Sequence, residues 1–425
     1  MAVTPCPDEY FDHLETISAS EREDYQNRRL ASHIERVYRL APAVKKLFDG
    51  AGLQPSDVTT IQDLEKLPIT RKPDLIEMQK ASLPYGGVSA IPVEDVERVF
   101  VSPGPIYEIQ PPDVKWFART YWAAGFRKGD VVINTFTYHL SPAGILFHEG
   151  LRHCGATVVV AGTGNTDLQI QVMRDLKVTG FVGTPSYLMT VLKRIDDMNL
   201  DLKKDFCIRK AWFTGEMLAP SLRVTFENDY DIDTYQAYAV TEPGGCIAYE
   251  CREKNGMHLM EEYVTEIVDP DTGKQVGPGE IGELVTTQLQ NPDWGLLRFG
   301  TGDLTSYTDE SCPCGRTSRR MTAIAGRAGD AVKVRGMFIV AKQAEQAIKA
   351  SGDISRYQLI VGREKHRDTL VLRLEAGKGV SIDPALLDNI GQAFQDSCRI
   401  KIDRIEFAES IPEEEQGIND MRKWE

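Results

Sequence analysis

RFGTGDLTSYTDESCPCGRTSRRMTAIAGRAGDAVKVRG, residues Arg298 to Gly336, gathers three features into one short span. In RFGTGD, Asp303 follows a Gly-Thr-Gly turn. In Cys312-Pro313-Cys314-Gly315-Arg316, two thiols stand one residue apart. Gly326-Arg327-Ala328-Gly329-Asp330 is a glycine-rich, charged turn, and it runs into the β-prone Val332-Lys333-Val334-Arg335-Gly336. That order is expected of a hinge leading into a new sheet. A ligand would be held on its near side, and a mobile domain would begin on its far side.

Working outward from the hinge, the downstream side has a compact αββαβ pattern. A helix over AKQAEQAIKA precedes strands YQLIVG and TLVLRLE. A second helix carries Leu386, Leu387, Ile390, Phe394 and Cys398, and strand IDRIEF closes the unit. Upstream, HLMEEYVTEIVDPDTGKQVGPGEIGELVTTQL alternates around a DPDTG turn, the mark of antiparallel β. Before that, from about 114 to 240, helices alternate with the short apolar strands VVINTF, TVVVAG, GFVGTP, KAWFTG and DTYQAY. Apolar strands separated by helices predict a parallel sheet covered on both faces, with ligands bound where the strands end. Residues 9–50 read as helix, with Leu30, Ile34, Val37, Leu40 and Val44 at helical spacing. A strand is expected at Val99–Val101, running into a tight Ser102-Pro103-Gly104-Pro105 loop. The expected fold is α/β: a large N-terminal domain over 1–328, with wound, largely parallel sheets and an antiparallel β segment, and a small αββαβ C-terminal lid over 329–425.

The totals narrow the function classes. A chain of 425 residues has room for two or three domains, and 42% hydrophobic residues suffice for a sizeable core. A formal charge of −14 argues against general affinity for nucleic acid or anionic membrane, although a local basic pocket for a phosphate-bearing ligand is compatible with it. No apolar run approaches the ~20 residues needed to span a bilayer. The N-terminus MAVTPCPDEYFDHLETI lacks the basic start and apolar centre of a signal peptide, so a cytoplasmic location is expected. For the eight cysteines, buried thiols or metal ligands then fit better than disulfides.

Three constellations carry chemistry. Cys251 and His258 are separated by six residues, and Cys312 and Cys314 by one. Three thiolates and an imidazole complete a tetrahedral set suited to a closed, structural Zn²⁺ site. The alternative is a group of unrelated buried cysteines, which explains a CxCG knuckle on the polar loop DESCPCGRTS less well. Asp303, presented by its turn, suits both hydroxyls of a ribose, or an Asx-turn that steadies only its own loop. Gly215-Glu216 and Thr241-Glu242 end neighbouring strands. A glycine there admits a flat ring against the backbone, and a glutamate there suits Mg²⁺ beside phosphates or simply solvent.

Taken together these pieces resemble the phenylacetate–coenzyme A ligase family of adenylate-forming enzymes. The resemblance rests on TPSY (184–187), GE (215–216), YAVTE (238–242), EC (250–251), GMHLMEE (256–262), EIVDPDTG (266–273), GEIGELVTT (279–287), RFGTGD (298–303), CPCGRT (312–317) and GRAGDAVKVRG (326–336). LEKLPITRKPDL also resembles the family's N-terminal region. The resemblance covers most of the chain. It implies an AMP-forming acid–CoA ligase for an aryl or arylacetic acid, with ATP/AMP, Mg²⁺, coenzyme A and a structural Zn²⁺ as cofactors. An acyl-adenylate forms first and the CoA thiol then displaces AMP. The C-terminal domain rotates between the two steps about the hinge that Asp330 matches.

By the same resemblance, Gly215 and Glu216 frame the adenine, and Thr241 and Glu242 face phosphate and Mg²⁺. Asp303 binds the ribose with Arg327 close to it. Tyr238, Arg335 and Gly336 join the cofactor-binding set, and Tyr138 and the Gly144 region line the acyl pocket. The implied partners are a small carboxylic acid and CoA. Nucleic acid and membrane are not implied, and a homodimer or a partner subunit is left open.

Two departures concern the charge that builds up at the α-phosphate. The family's phosphate loop is rich in Ser, Thr and Gly and ends in Lys. Here the matching stretch is Val101-Ser102-Pro103-Gly104-Pro105-Ile106-Tyr107-Glu108. Two prolines supply no N–H, and Glu108 carries the opposite charge. The family's C-terminal Gly-Lys is matched by Gly417-Ile418, with Lys423 five residues beyond. The alternative functions are therefore an acyl transferase, or a non-catalytic partner subunit, that has lost ATP-dependent adenylation on the same fold.

Overall fold

The computed structural model describes residues 9–102, 105–111, 113–328, 331–335, 337–350, 354–364, 367–377, 383–398 and 400–422. The chain forms two compact units, one built from Met1–Glu266, Val285–Thr301 and Tyr307–Ala323, the other from Ile267–Leu284, Gly302–Ser306 and Ile324–Glu425. It passes between them within the strands Tyr263–Val268, Gly282–Gln288 and Phe299–Thr305.

The first unit is organised by a nine-stranded sheet. Its parallel part runs Thr157–Val160, Val131–Asn134, Gly180–Gly183, Lys210–Phe213, Asp233–Val240. The antiparallel part continues through Gly245–Glu250, Met257–Leu259, Arg320–Met321 and Tyr307–Thr308. The expected strands are all present, each ending a residue or two before the predicted loop except Asp233–Val240, which extends further. Helix Pro185–Asp197 shows why such sequences alternate. Thr184 caps it by accepting from the Tyr187 amide, Pro185 opens it, and Leu188, Val191, Leu192 and Ile195 form a buried stripe. That stripe packs with Ile133, Phe181 and Phe213 from the sheet in one apolar cluster.

The helical reading of 9–50 resolves into a short 3-10 turn, His13–Thr16, and two helices, Ala19–Leu40 and Pro42–Ala51. The break falls at Ala41, whose φ of −104° and ψ of 106° are what a following proline imposes. Residues before the first helix are held by buried ion pairs. Arg119 is 2% exposed and contacts Asp12, Glu261 and Glu262. Arg316 pairs with Glu15 at 2.5 Å.

The second unit contains the hairpin Ala331–Val334 and Met337–Val340, then helix Ala341–Ala350 and a four-stranded sheet. The sheet order is Arg404–Phe407, Arg367–Ala376, Ile354–Glu364, Gly417–Asp420, with the central pair antiparallel and each outer strand parallel to its neighbour. Helix Pro384–Cys398 adds Ile390, Phe394 and Cys398 to its core. The αββαβ expectation is met, with one strand more: Gly417–Asp420 pairs with Gln358–Val361. Its few polar residues give no alternation from which a strand could be read.

Candidate functional site

In the first unit, the predicted residues gather at the C-terminal ends of the parallel strands. After Lys210–Phe213, Gly215 turns with φ +82°, a conformation that suits glycine. Glu216 reaches the next loop. Its carboxylate accepts from the Ser186 hydroxyl at 2.8 Å and from the Ser186 amide at 3.3 Å. TPSY and GE, far apart in sequence, thus form one hydrogen-bonded rim at the start of helix Pro185–Asp197. Tyr238 lies on the neighbouring strand, paired with Ala248.

Beyond that strand the chain turns at Thr241-Glu242, where the Gly244 amide donates to the Thr241 carbonyl at 2.9 Å. The Thr241 hydroxyl donates to Glu242 at 3.2 Å. The Glu242 carboxylate is nearly buried, and Lys72 Nζ stands 2.9 Å from it. Trp294 Nε1 donates to the Glu242 carbonyl at 2.9 Å, and Gln110 Nε2 to the Thr241 carbonyl at 3.3 Å. Lys72 is a residue that sequence reasoning missed. Its signal was TRKPDL, where Pro73 opens helix Lys72–Ala81 and leaves Lys72 at the helix start.

The segment matching the phosphate loop forms a hairpin, Val99–Ser102 against Ile106–Ile109; Pro103 and Gly104 lie outside the described residues. Glu108 does not face solvent as an open repulsive charge. It is fully buried, and neither carboxylate oxygen has a hydrogen-bond partner among the described residues. Burial foremost, and the nearby Glu242 next, push its carboxyl well above the usual range, while Lys72 pulls it down.

Tyr138, on the loop after Val131–Asn134, meets Gly144, in the first turn of helix Ala143–His153. Asn134 Nδ2 donates to the Tyr138 hydroxyl at 2.8 Å and to the Gly144 carbonyl at 2.9 Å. A Cβ on Gly144 would lie 2.4 Å from the Thr137 carbonyl oxygen and 2.9 Å from the Tyr138 ring, so only glycine fits. Burial pushes the Tyr138 phenol up to about 12, and its oxygen lies 3.4 Å from His148 Nδ1. His139 and His153 are exposed.

Cys251, His258, Cys312 and Cys314 converge, their ligand atoms all within 4.8 Å of one another. Cys251 and Cys312 sulfurs are 3.7 Å apart, and Cys314 Sγ is 3.4 Å from His258 Nε2. Sulfurs on a tetrahedral Zn²⁺ sit ~3.8 Å apart, so the set fits the ion. His258 Nδ1 lies 3.3 Å from the Ser318 carbonyl; donation there leaves the Nε2 lone pair for a metal. Hydrogen bonding with Cys251 first, and with His258 next, draws the Cys314 thiol far below its usual range, which favours the thiolate a metal requires. Cys246 is buried on its own strand and directs its thiol to the Ala248 carbonyl, apart from this set.

In the second unit, strand pairing places Asp303 opposite Arg327, and Arg327 Nε is 2.8 Å from Asp303 Oδ1. Gly302 has φ +73°, and its amide donates to Glu283 at 3.2 Å. Arg335 binds the Asp368 carbonyl at 2.9 Å and also pairs with Asp403. Asp330, Gly336 and Lys423 lie outside the described residues. Ile418 packs its side chain against the apolar core of this unit.

The family model described as AMP-binding enzyme matches residues 114–291. A phenylacetate-coenzyme A ligase of Thermus thermophilus is 32% identical over 384 residues, covering 87% of this chain and 84% of that protein. One of Aromatoleum evansii is 33% identical, covering 88% and 85%. One of Escherichia coli is 30% identical, covering 86% and 84%. Among solved structures, an open conformation of 2-hydroxyisobutyryl-CoA ligase with 2-HIB-AMP and CoA superposes with a TM-score of 0.87 at 24% identity, covering 96% of this chain and 93% of that one.

Proposed function

The chain belongs to the phenylacetate–coenzyme A ligase family, and from that membership we infer what its own residues do. It is an ATP-dependent, AMP-forming acid–CoA ligase that works through an acyl-adenylate. The acid's carboxylate oxygen attacks the α-phosphorus of ATP, the bond to the β-phosphate oxygen breaks, and pyrophosphate leaves. The CoA sulfur then attacks the acyl carbon, the bond to the AMP oxygen breaks, and the thiol proton passes to solvent.

The assignment of residues is our own. In this reading the Gly215-Glu216 turn frames the adenine and Tyr238 flanks it. Thr241 and Glu242 face the phosphates, with Glu242 holding Mg²⁺. Asp303 accepts from the ribose hydroxyls, oriented by Arg327 at 2.8 Å. Arg335 and Gly336 belong to the cofactor-binding set, and the C-terminal domain starts at 329 with Asp330 as its pivot. Tyr138 and Gly144 shape an acyl pocket for an aryl or arylacetic acid. Cys251, His258, Cys312 and Cys314 hold a structural Zn²⁺ with no coordination position left for chemistry. No helix among the described residues is long and apolar enough to cross a membrane, and we place the enzyme in the cytoplasm.

The observation that carries this assignment is the Thr241-Glu242 turn. Its nearly buried carboxylate, paired with Lys72, stands at a strand's C-terminal end where a nucleotide's phosphates are expected, on a backbone whose carbonyls accept from Trp294 and Gln110. The test is pyrophosphate release with ATP, Mg²⁺, CoA and a panel of aryl and arylacetic acids. Acid-dependent release with thioester formation is expected. Acyl exchange between thiols without pyrophosphate would instead mark a transferase.

A further inference from the structure

The hairpin of Val99–Ser102 and Ile106–Ile109 turns one polar face into the protein. Phe100 pairs with Glu108, and Ser102 with Ile106. Directly paired and alternate residues share a face, so Ser102, Glu108 and, one step on, Gln110 point the same way. That face is inside the protein: Ser102 is 2% and Glu108 0% exposed. Ser102 Oγ, both Glu108 oxygens and Gln110 Oε1 have no hydrogen-bond partner among the described residues. The Gln110 amide is oriented by its own bond, Nε2 donating to the Thr241 carbonyl, so its oxygen is the end left over. That bond also ties this face to the Thr241-Glu242 turn. Lys72 Nζ, the cationic partner of Glu242 at 2.9 Å, lies near Glu108 as well. Buried polar atoms are ordinarily satisfied, and an unpartnered set made only of oxygens, a carboxylate, a hydroxyl and an amide oxygen, suits a hard cation.

We propose that Glu108 is a second carboxylate ligand, beside Glu242, for the divalent cation that accompanies the nucleotide, with Ser102 and Gln110 supplying neutral oxygens around it. The position that elsewhere presents a lysine to phosphate here presents an oxygen donor to the metal, and the metal carries the positive charge. This rests on the assignment of Glu242 to Mg²⁺ above. It goes beyond that assignment because Glu108, read from sequence as repulsive to ATP, becomes part of the charge-handling apparatus.

The experiment is a Mn²⁺ titration, followed by electron paramagnetic resonance, of the full chain saturated with a non-hydrolysable ATP analogue. Analogue binding without metal is measured in parallel. Glu108→Gln is expected to weaken Mn²⁺ binding by about tenfold or more while analogue binding without metal is unchanged. Glu108→Asp is expected to recover part of the loss. Mn²⁺ affinity that drops in Glu242→Gln and not in Glu108→Gln overturns the inference and leaves the proposed function standing. No analogue binding by the wild type overturns both. Should Glu108→Gln not fold, anomalous scattering from Mn²⁺ in wild-type crystals decides: an ion directly coordinated by Glu108 supports the inference, and an ion on Glu242 alone overturns it.

Discussion

Gly245→Ala tests whether the Thr241-Glu242 turn depends on the packing beneath it. Gly245 has φ +122°, and a Cβ there would lie 2.3 Å from Phe117 Cζ and 2.9 Å from Cε1. An ordinary carbon contact is ~3.5 Å, so relief needs a shift of ~1.2 Å. The ring cannot supply it. Phe117 is fully buried, its neighbours Trp116 and Phe147 are 5.7 and 6.5 Å away between centroids, and Gly150 is packed against its Cβ. Backbone strain of ~1–3 kcal/mol and overpacking of ~1–3 kcal/mol together predict a loss of ~2–6 kcal/mol. The backbone that moves instead is bonded through Gly244 to Thr241. A displacement of about 1 Å at Glu242 predicts a ~10²-fold loss of adenylation rate. Gly129→Ala is the control, since φ is +99° there and nothing lies within 4 Å. Urea unfolding and pyrophosphate release are the two readouts. Equal stability and equal rates for the two variants would refute the packing argument.

The purified protein should contain one equivalent of zinc by elemental analysis, and Cys312→Ser should lose it with a fall in Tm of about 5 °C or more; zinc-free wild type would remove the metal assignment. Asp303→Ala should weaken AMP binding by calorimetry ~10–100-fold, the range for a lost charged hydrogen bond; unchanged binding would place the ribose elsewhere. Ile418→Lys should cost ~1–3 kcal/mol in urea unfolding and give no gain in adenylation, because Ile418 packs on an apolar core; a large gain in rate would show the side chain free to turn outward. His33 is buried with neither ring nitrogen partnered among the described residues, and burial holds its imidazole down at about 4. The unfolded chain therefore binds the extra proton first. Stability is fully present above about pH 6.5 and falls by ~3 kcal/mol as pH drops toward 4, and a His33→Leu variant should flatten that slope in acid denaturation.

The alternation of helix and strand between 114 and 240 was legible because both signals are local. An apolar run of four or five residues has few choices once helices flank it, and Thr184 and Pro185 mark a helix start without reference to anything distant. The cysteine and histidine set was legible for a related reason, since a thiol pair one residue apart on a polar loop has little to do in a core. Glu108 was identified at its position as a charge where a lysine is expected, but its full burial was not legible from the neighbouring residues. Its burial is decided by the register of Val99–Ser102 with Ile106–Ile109. Lys72 went unnoticed, because what makes it matter is a contact with a residue 170 positions away.

The sequence by itself determined the order of elements, the turn at Gly215, and the presence of four metal-ligand side chains, all set by backbone and side-chain preferences that act over a few residues; the turn expected at Gly300-Thr301-Gly302 is instead part of the strand Phe299–Thr305, because pairing with Gly326–Arg327 outweighs the local glycine signal. Only the tertiary structure decided that Cys251 and His258 meet Cys312 and Cys314, that Ser186 binds Glu216, that Ile418 faces inward, and that Glu108 lies buried on the hairpin face that Gln110 ties to the Thr241-Glu242 turn. Those outcomes depend on which surfaces are excluded from water when distant segments pack. Desolvation and long-range pairing are properties of the folded whole, and no local stretch of chain encodes them separately.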